Sequence, residues 1–234
     1  MDHYKKYCLL NEIDVNRINL PKDPENTELH SNEAQFFISE NGAFLERSSS
    51  KIDNLRLNFF TNFTNQVINH FKLNLNFRCL VNLNDGPENN STETRLCFAR
   101  PRKSAHICIP DSHIPRTASI CEGLSEIDKP FFEKQNKACF FGSDTGRKFI
   151  DAEVQRTKFC NKFKNSQLIT AKITNFIEQP FQEEIYSKPV SIQDQLNYKY
   201  IININGNTTS WERLIWAMKS NSFCLFFKTT ATPR

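Results

Sequence analysis

The chain carries the stretch Tyr200-Ile-Ile-Asn-Ile-Asn-Gly-Asn-Thr-Thr-Ser-Trp211, and this stretch decides its fold class. An isoleucine-rich apolar run breaks at Gly206 into small polar residues, and a helical pattern begins around Ser210. The pattern predicts a buried strand, a tight loop and a helix N-terminus. In α/β folds such a junction presents backbone N–H groups and the helix dipole to an anionic ligand, often a phosphate.

A second junction of the same kind lies upstream. Residues Ala138 to Phe141 predict a strand, Gly142 to Gly146 a loop, and Arg147 to Phe163 a helix. Strands that alternate with helices indicate βαβ units and a mostly parallel sheet, so we expect an α/β fold.

The remaining chain predicts fewer regular elements. A hairpin is expected around Asn41-Gly42, a helix over 57–71, and strands over 77–83 and 106–109. Residues 112–136 contain two prolines and predict a linking loop. We therefore expect an irregular segment over 1–33, an α/β half over 34–125 with the acceptor side, and a donor-binding half over 126–234.

Composition narrows the function classes. The net charge of +4 is too small for a dedicated nucleic-acid binder, although it suits a protein that handles anionic small molecules. The sequence shows neither a membrane-span pattern nor a secretory signal, so we expect a cytoplasmic protein. The eight cysteines form no Cys-x-x-Cys pair, which predicts buried free thiols, and neither they nor the histidines have the spacing of metal ligands. We expect no metal.

The two loops are candidate ligand sites. Glycine lets the backbone approach a ligand, hydroxyls supply neutral donors, and a nearby arginine can face a diphosphate. The first glycine loop, Gly142–Gly146, and the second, Gly206–Ser210, each precede an arginine, and neither matches a Walker or dinucleotide fingerprint. Plain βα turns are the alternative interpretation. The candidate binding residues are Gly142, Ser143, Thr145, Arg147, Gly206, Thr209, Ser210 and Arg213.

Asp85 is the candidate catalytic group. It follows an apolar strand directly and precedes Gly86-Pro87. One interpretation is that Asp85 is a structural residue of a β-turn. The other is that its carboxylate faces a cleft and acts as a general base that takes a proton from a substrate hydroxyl.

Five segments resemble one glycosyltransferase family, which holds capsule-associated proteins, lipopolysaccharide core glycosyltransferases and Rumi-type protein O-glucosyltransferases. Tyr198 to Ser222 is similar to the family signature, and Phe140 to Gly146 is similar to its donor loop. Leu83 to Gly86, followed by Cys97 to Pro101 and Ile109 to Asp111, resembles its N-terminal half.

The resemblance implies two Rossmann-like halves of GT-B type. It also implies inverting transfer of a sugar from a nucleotide sugar, usually UDP-linked, to a lipopolysaccharide core or capsule acceptor. In this chain Asp85 takes the position of the catalytic base, and Gly142, Ser143, Gly206, Ser210 and Arg213 lie in the donor loops. No metal or further cofactor and no nucleic-acid partner are implied, and peripheral association with the inner membrane is an open alternative.

The chain departs from the family at three places. Phe141 stands where many members carry an arginine, for which Arg147 is the candidate replacement, and Asn205 replaces an aspartate or arginine. The second half is expected to be truncated after its last visible strand, Phe223 to Lys228. An inactive or merely nucleotide-binding relic is therefore the alternative function. A Rossmann-type oxidoreductase is a third, against which the missing dinucleotide fingerprint argues.

Overall fold

The computed structural model describes residues 28–84, 94–98, 106–110, 112–146, 154–207 and 211–227. These residues form two compact units whose boundary in the sequence lies between Ser112 and His113. Each unit contains its own sheet, and the described chain is mixed α/β as the sequence predicts.

The described residues of the first unit form a five-stranded sheet and one helix. Its elements are β1 (Glu33–Ser39), β2 (Gly42–Ser48), α1 (Asn54–Phe71), β3 (Asn76–Asn82), β4 (Arg95–Cys97) and β5 (Ile107–Cys108). The strand order is β2-β1-β3-β4-β5. β1 is antiparallel to both of its neighbours, whereas β3, β4 and β5 are parallel.

Local sequence explains these elements. Gly42 follows the hairpin turn with a φ of +134°, a value that glycine accepts without strain, which confirms the predicted hairpin. Asp53 caps α1 by accepting bonds from two backbone N–H groups, those of Leu55 and Arg56. The core joins helix to sheet through Phe60 and Phe36, whose ring centroids lie 4.7 Å apart.

The second unit alternates strands and helices. Its elements are α2 (Ile114–Ile127), β6 (Gln135–Ser143), α3 (Gln155–Phe163), β7 (Ile169–Asn175), α4 (Ile192–Gln195), β8 (Tyr198–Asn203), α5 (Trp211–Lys219) and β9 (Phe223–Phe226). Ser191 caps α4, because its hydroxyl accepts from the backbone N–H of Asp194 at 3.0 Å.

All four strands of this second sheet are parallel, in the order β7-β6-β8-β9. The chain leaves β6 toward β7 on one side and returns to β8 on the other. β6 and β8 therefore flank a topological switch point, the place where open parallel sheets bind ligands at the carboxyl ends of their strands.

Both faces of the second sheet are covered. On one face Phe140 packs with Phe159 of α3 and with Ile173. On the other, Phe141 packs with Trp216 of α5 and with Leu124 of α2. Consecutive residues of β6 thus anchor opposite layers, as the alternation of a strand requires.

Two sequence predictions are wrong. The expected loop over 112–136 contains helix α2, whose first turn accommodates a proline because the N–H that proline lacks has no helical partner there. Within the helix expected over 147–163, Val154 has extended backbone, and α3 begins after it at Gln155. Residues 147–153 lie outside the described residues.

No helix in the described part of the chain is long and apolar enough to cross a membrane. The cysteines there carry free thiols, and five of them are buried: Cys79, Cys97, Cys121, Cys139 and Cys160. The predicted buried thiols are thus confirmed for these positions.

Candidate functional site

The structure brings the two glycine loops together at the switch point. Gly142 and Ser143 form the last residues of β6, so the first loop begins within the strand. Gly206 follows the neighbouring parallel strand β8 after two residues. A Cβ added to Gly146 would lie 3.2 Å from Asn205 O, which shows how closely the loops approach each other.

Arg156 joins the loops. Its Nη1 donates to Ser143 O and to Thr145 Oγ1 of the first loop, each at 3.1 Å. Its Nε and Nη2 donate to Ile204 O, which precedes the second loop, at 3.2 and 2.9 Å. One guanidinium therefore holds the carboxyl ends of β6 and β8 together.

Arg213 approaches the same place from α5. Its Nη2 donates to Phe141 O, and its guanidinium carbon lies 4.9 Å from the centroid of the Phe140 ring. The Nε and Nη1 atoms are buried and make no hydrogen bond within the described residues. These two N–H groups of Arg213 could therefore donate to a ligand that displaces the atoms packed against them.

Each loop glycine makes room for one of these guanidinium groups. A Cβ on Gly142 would lie 3.0 Å from Arg213 Nη2, and a Cβ on Gly206 would lie 3.1 Å from Arg156 Nη2. Both distances are tighter than ordinary contact, so a side chain at either glycine would push an arginine away.

Both guanidinium groups have lowered pKa values. Burial, together with the neighbouring Arg213, lowers the pKa of Arg156 to about 10. Burial likewise lowers the pKa of Arg213 to about 10. Both groups nevertheless stay protonated at neutral pH, and in the described part of the chain neither forms a salt bridge with a carboxylate.

Asp144 has a structural task in the first loop. It is fully buried, and its carboxylate accepts from Ile177 N at 2.6 Å, from Gln179 N at 2.7 Å and from Glu178 N at 3.1 Å. Successive backbone N–H groups of this kind form an anion-binding nest. The nest ties the end of β6 to the turn after β7.

A cavity of about 520 Å³ opens beside the arginines. Its wall includes Gly142, Ser143 and both guanidinium groups, and also His113, Arg116 and Glu212. The volume is in the range of small-molecule sites, and the lining includes three arginines and one glutamate.

The structure describes five of the nine predicted site residues. Gly142, Ser143 and Arg213 line the cavity, while Thr145 and Gly206 lie against Arg156. Asp85, Arg147, Thr209 and Ser210 lie outside the described residues.

The strand before Asp85 ends in a buried polar cluster in the first unit. Glu33 accepts from Arg95 Nε at 2.7 Å and from Asn82 Nδ2 at 3.0 Å, and all three residues are buried. Asn82 is the last residue of β3, so this cluster fixes the end of that strand.

Sequence reasoning missed Arg156. It stands on one face of α3 with Phe159, Cys160 and Phe163, at the spacing i, i+3, i+4 and i+7. A cation within an apolar stripe is a signal for a buried charge, and this signal was present in the sequence.

Within the described residues no group of three or more histidine, cysteine, aspartate or glutamate side chains is placed to hold a metal ion. No protein-family model matches the chain, and no curated protein sequence matches it at a significant level.

Proposed function

We propose that the second unit binds the diphosphate of a nucleotide sugar at the carboxyl ends of β6 and β8, and that the protein is a glycosyltransferase. The donor is UDP-linked, the acceptor is a lipopolysaccharide core or capsule glycan, and transfer inverts the anomeric carbon. The two units then correspond to the Rossmann-like halves of a GT-B enzyme. The protein acts in the cytoplasm, at or near the inner face of the membrane.

One observation carries the binding part of this proposal. Arg156 and Arg213 are charged at neutral pH, and neither forms a salt bridge with a carboxylate in the described chain. Buried cations are costly unless an anion compensates them. A diphosphate in the adjoining cavity supplies that anion and accepts charge-assisted hydrogen bonds from guanidinium forks.

The position in the fold supports the same ligand. The cavity opens at the carboxyl end of β6, one of the two strands that flank the switch point, and α5 begins shortly after the second loop. Helix N-termini and the carboxyl ends of parallel strands are recurrent phosphate sites.

The sugar-transfer part rests on the resemblance of Tyr198 to Ser222 and of the first loop to the glycosyltransferase family. In the proposed reaction the predicted base Asp85 takes the proton of the acceptor hydroxyl. The arginines and loop N–H groups stabilise the charge that develops on the leaving diphosphate.

Calorimetric titration with UDP-glucose tests the binding part. Arg213→Met should weaken binding about 10- to 100-fold, because a hydrogen bond to a charged group contributes about 1.5–3 kcal/mol. Arg213→Lys should restore part of the affinity, since it keeps the charge but loses the fork. Arg78→Met is the matched control, since Arg78 pairs with Glu46 in the first unit. Equal affinity of Arg213→Met and wild type would overturn the assignment.

Asp85→Asn tests the transfer part. Release of UDP in the presence of a lipopolysaccharide core acceptor should fall by at least about 100-fold, the contribution of a general base. Unchanged transfer would remove Asp85 from the mechanism.

A nucleotide-binding protein without transferase activity is the second candidate. The hydrogen bonds of Arg156 within the protein favour this candidate, because its guanidinium already donates to three backbone or side-chain oxygens. This candidate predicts that wild-type protein binds UDP-glucose but releases no UDP with any acceptor.

A further inference from the structure

The outermost strand of the second sheet carries exposed apolar side chains on one face. β9 pairs with β8, and its side chains alternate between the two faces of the sheet. Cys224 packs against the core layer that contains α5 and α2. On the opposite face Phe223, Leu225 and the following Phe227 are 61%, 44% and 42% exposed. These three side chains form an apolar strip.

Ring contacts extend this strip at both ends. The centroid of Phe227 lies 5.0 Å from that of Phe159 in α3, so the strip lies on the α3 side of the sheet. The centroid of Phe223 lies 5.2 Å from that of Phe131, which in turn contacts the ring of Phe132. Phe132 is 88% exposed. We call this surface the apolar patch, and its members are Phe131, Phe132, Phe223, Leu225 and Phe227.

Lysines border the apolar patch. The Nζ atom of Lys199 lies 5.2 Å from the centroid of the Phe131 ring. At the end of α3, Lys164 reaches Glu184 on the flank next to β7. The exposed Lys162 lies on the opposite flank, the one next to β9, because successive helical residues are rotated by about 100°. The sequence of α3 contains one arginine, two lysines and no acidic residue.

The chemistry of the patch fits an anionic bilayer. Aromatic rings enter the boundary between headgroups and acyl chains, and lysine ammonium groups meet lipid phosphates while their stems lie along apolar surface. Glu133 is the acidic residue of the turn that holds Phe132, and the lysines on both sides of the patch outnumber it. Charge complementarity therefore selects an anionic lipid surface.

The patch lies away from the candidate binding site. Phe223 opens β9 and Phe131 precedes β6, whereas the cavity opens at the carboxyl end of β6. The members of the patch do not line the cavity. Contact between the patch and lipid thus leaves the cavity accessible to a ligand.

We propose that the apolar patch and its bordering lysines dock the protein on a bilayer that contains anionic phospholipids. This inference deepens the membrane-face location contained in the proposed function, and it rests on that location but not on sugar transfer. The rings of Phe132 and Phe223 enter the lipid boundary, and Lys162 and Lys199 contact the headgroup phosphates.

Co-sedimentation with lipid vesicles tests this proposal. Wild-type protein should bind vesicles of equal parts phosphatidylglycerol and phosphatidylcholine at least about tenfold more tightly than vesicles of phosphatidylcholine alone, because each lysine near an anionic surface contributes about a factor of five. A higher salt concentration should weaken this binding. Equal affinity for the two kinds of vesicle would overturn the proposal.

A pair of apolar variants locates the contact. Phe132→Ser/Phe223→Ser should weaken binding to anionic vesicles at least about tenfold, since both rings lose their burial in lipid. Leu55→Ser/Phe71→Ser is the matched control, because these side chains are 71% and 65% exposed on α1 in the first unit. Equal losses of vesicle binding in the two variants would refute the assignment of the apolar patch.

A pair of charge reversals tests the lysines. Lys162→Glu/Lys199→Glu should remove the preference for anionic vesicles. Lys51→Glu/Lys188→Glu changes the net charge by the same amount at exposed positions elsewhere and should keep the preference. A preference lost to the same extent in both variants would reflect net charge alone and would contradict a local docking surface.

Calorimetric titration with UDP-glucose separates this inference from the proposed function. Each patch variant should bind UDP-glucose as wild type does, which also checks its fold. Wild-type protein that binds anionic vesicles but not UDP-glucose would overturn the proposed function and support the docking surface. Binding of UDP-glucose without binding to vesicles would overturn this inference alone. A dimer that dissociates in Phe132→Ser/Phe223→Ser would show that a second copy covers the patch, and would overturn it as well.

Discussion

Replacement of Asp144 by asparagine tests whether the first glycine loop depends on an internal anion. Asp144 is fully buried, and three successive backbone N–H groups, those of Ile177, Glu178 and Gln179, point at its carboxylate. Asparagine has the same shape but offers one oxygen and one NH₂ group. The two shortest bonds come from the N–H groups of Ile177 and Gln179, one to each carboxylate oxygen. In either orientation of the asparagine amide, one of these N–H groups faces the NH₂ group instead of an oxygen.

The expected cost follows from these contacts. Loss of one hydrogen bond to a charged acceptor costs about 2 kcal/mol, and the buried N–H left without a partner adds about 1 kcal/mol. Asp144→Asn should therefore lower the free energy of unfolding by about 3 kcal/mol. For a chain of this size that corresponds to a fall of about 9 °C in Tm.

Urea titration followed by tryptophan fluorescence measures this change. Both tryptophans of the chain, Trp211 and Trp216, lie in α5, so the signal reports on the second unit. Asp194→Asn is the matched control, because this exposed carboxylate serves only the short α4 and its loss should cost less than about 1 kcal/mol. Equal effects of the two variants would refute the account of Asp144 as a buried structural anion.

Three further predictions concern the packing of the second unit. Gly146→Ala should destabilise it by about 2 kcal/mol, because the backbone holds a φ of +136° and a Cβ would crowd the second loop. By contrast, Gly123→Ala should stabilise the second unit by about 1 kcal/mol, because a Cβ at this position of α2 meets no other atom. Urea titration measures the stability of both glycine variants, and a more stable Gly146→Ala than Gly123→Ala would contradict both expectations. Trp216→Ala should lower the free energy of unfolding by about 4 kcal/mol and Phe132→Ala should leave it almost unchanged, because Trp216 is buried and Phe132 is 88% exposed. Thermal melting followed by circular dichroism compares the two variants, and similar losses of stability would be inconsistent with this packing. Burial raises the pKa of Cys139 to about 12, so iodoacetamide should label it at pH 8 only after unfolding, and rapid labelling of folded protein would be the contrary result. Between pH 9 and pH 10 the Cys139 thiol stays protonated in the folded protein but loses its proton in the unfolded protein. The urea midpoint should therefore fall as the pH rises from 9 to 10.

Local patterns predicted much of the second unit. The apolar runs of β6 and β8 and the polar residues after each were visible in the sequence, and both strands form as expected. The prediction failed where proline was taken as a loop signal. Pro115 lies in the first turn of α2, and a local pattern cannot separate that position from a loop.

The candidate site was only partly predictable. Gly142, Ser143 and Arg213 were expected at the site, and all three line one cavity. The roles of Arg156 and Asp144 could not be derived from spacing alone. Each acts through contacts with residues 33 to 48 positions away along the chain.

His113 and Glu212 illustrate the same limit. The two residues lie 99 positions apart in sequence, one directly before α2 and the other in the first turn of α5. No periodicity relates them, because periodicity describes one element at a time.

The amino-acid sequence by itself determined the order of strands and helices from β6 to β9 and the glycine–polar composition of the two loops. These properties depend on local propensity and on the alternation of apolar residues. The tertiary structure decided that β6 and β8 are neighbours, that Arg156 joins their loops and that Arg213 lies against the first loop. The reason is physical: strand pairing and burial depend on long-range contacts, and only these contacts turn two ordinary βα turns into one positively charged site.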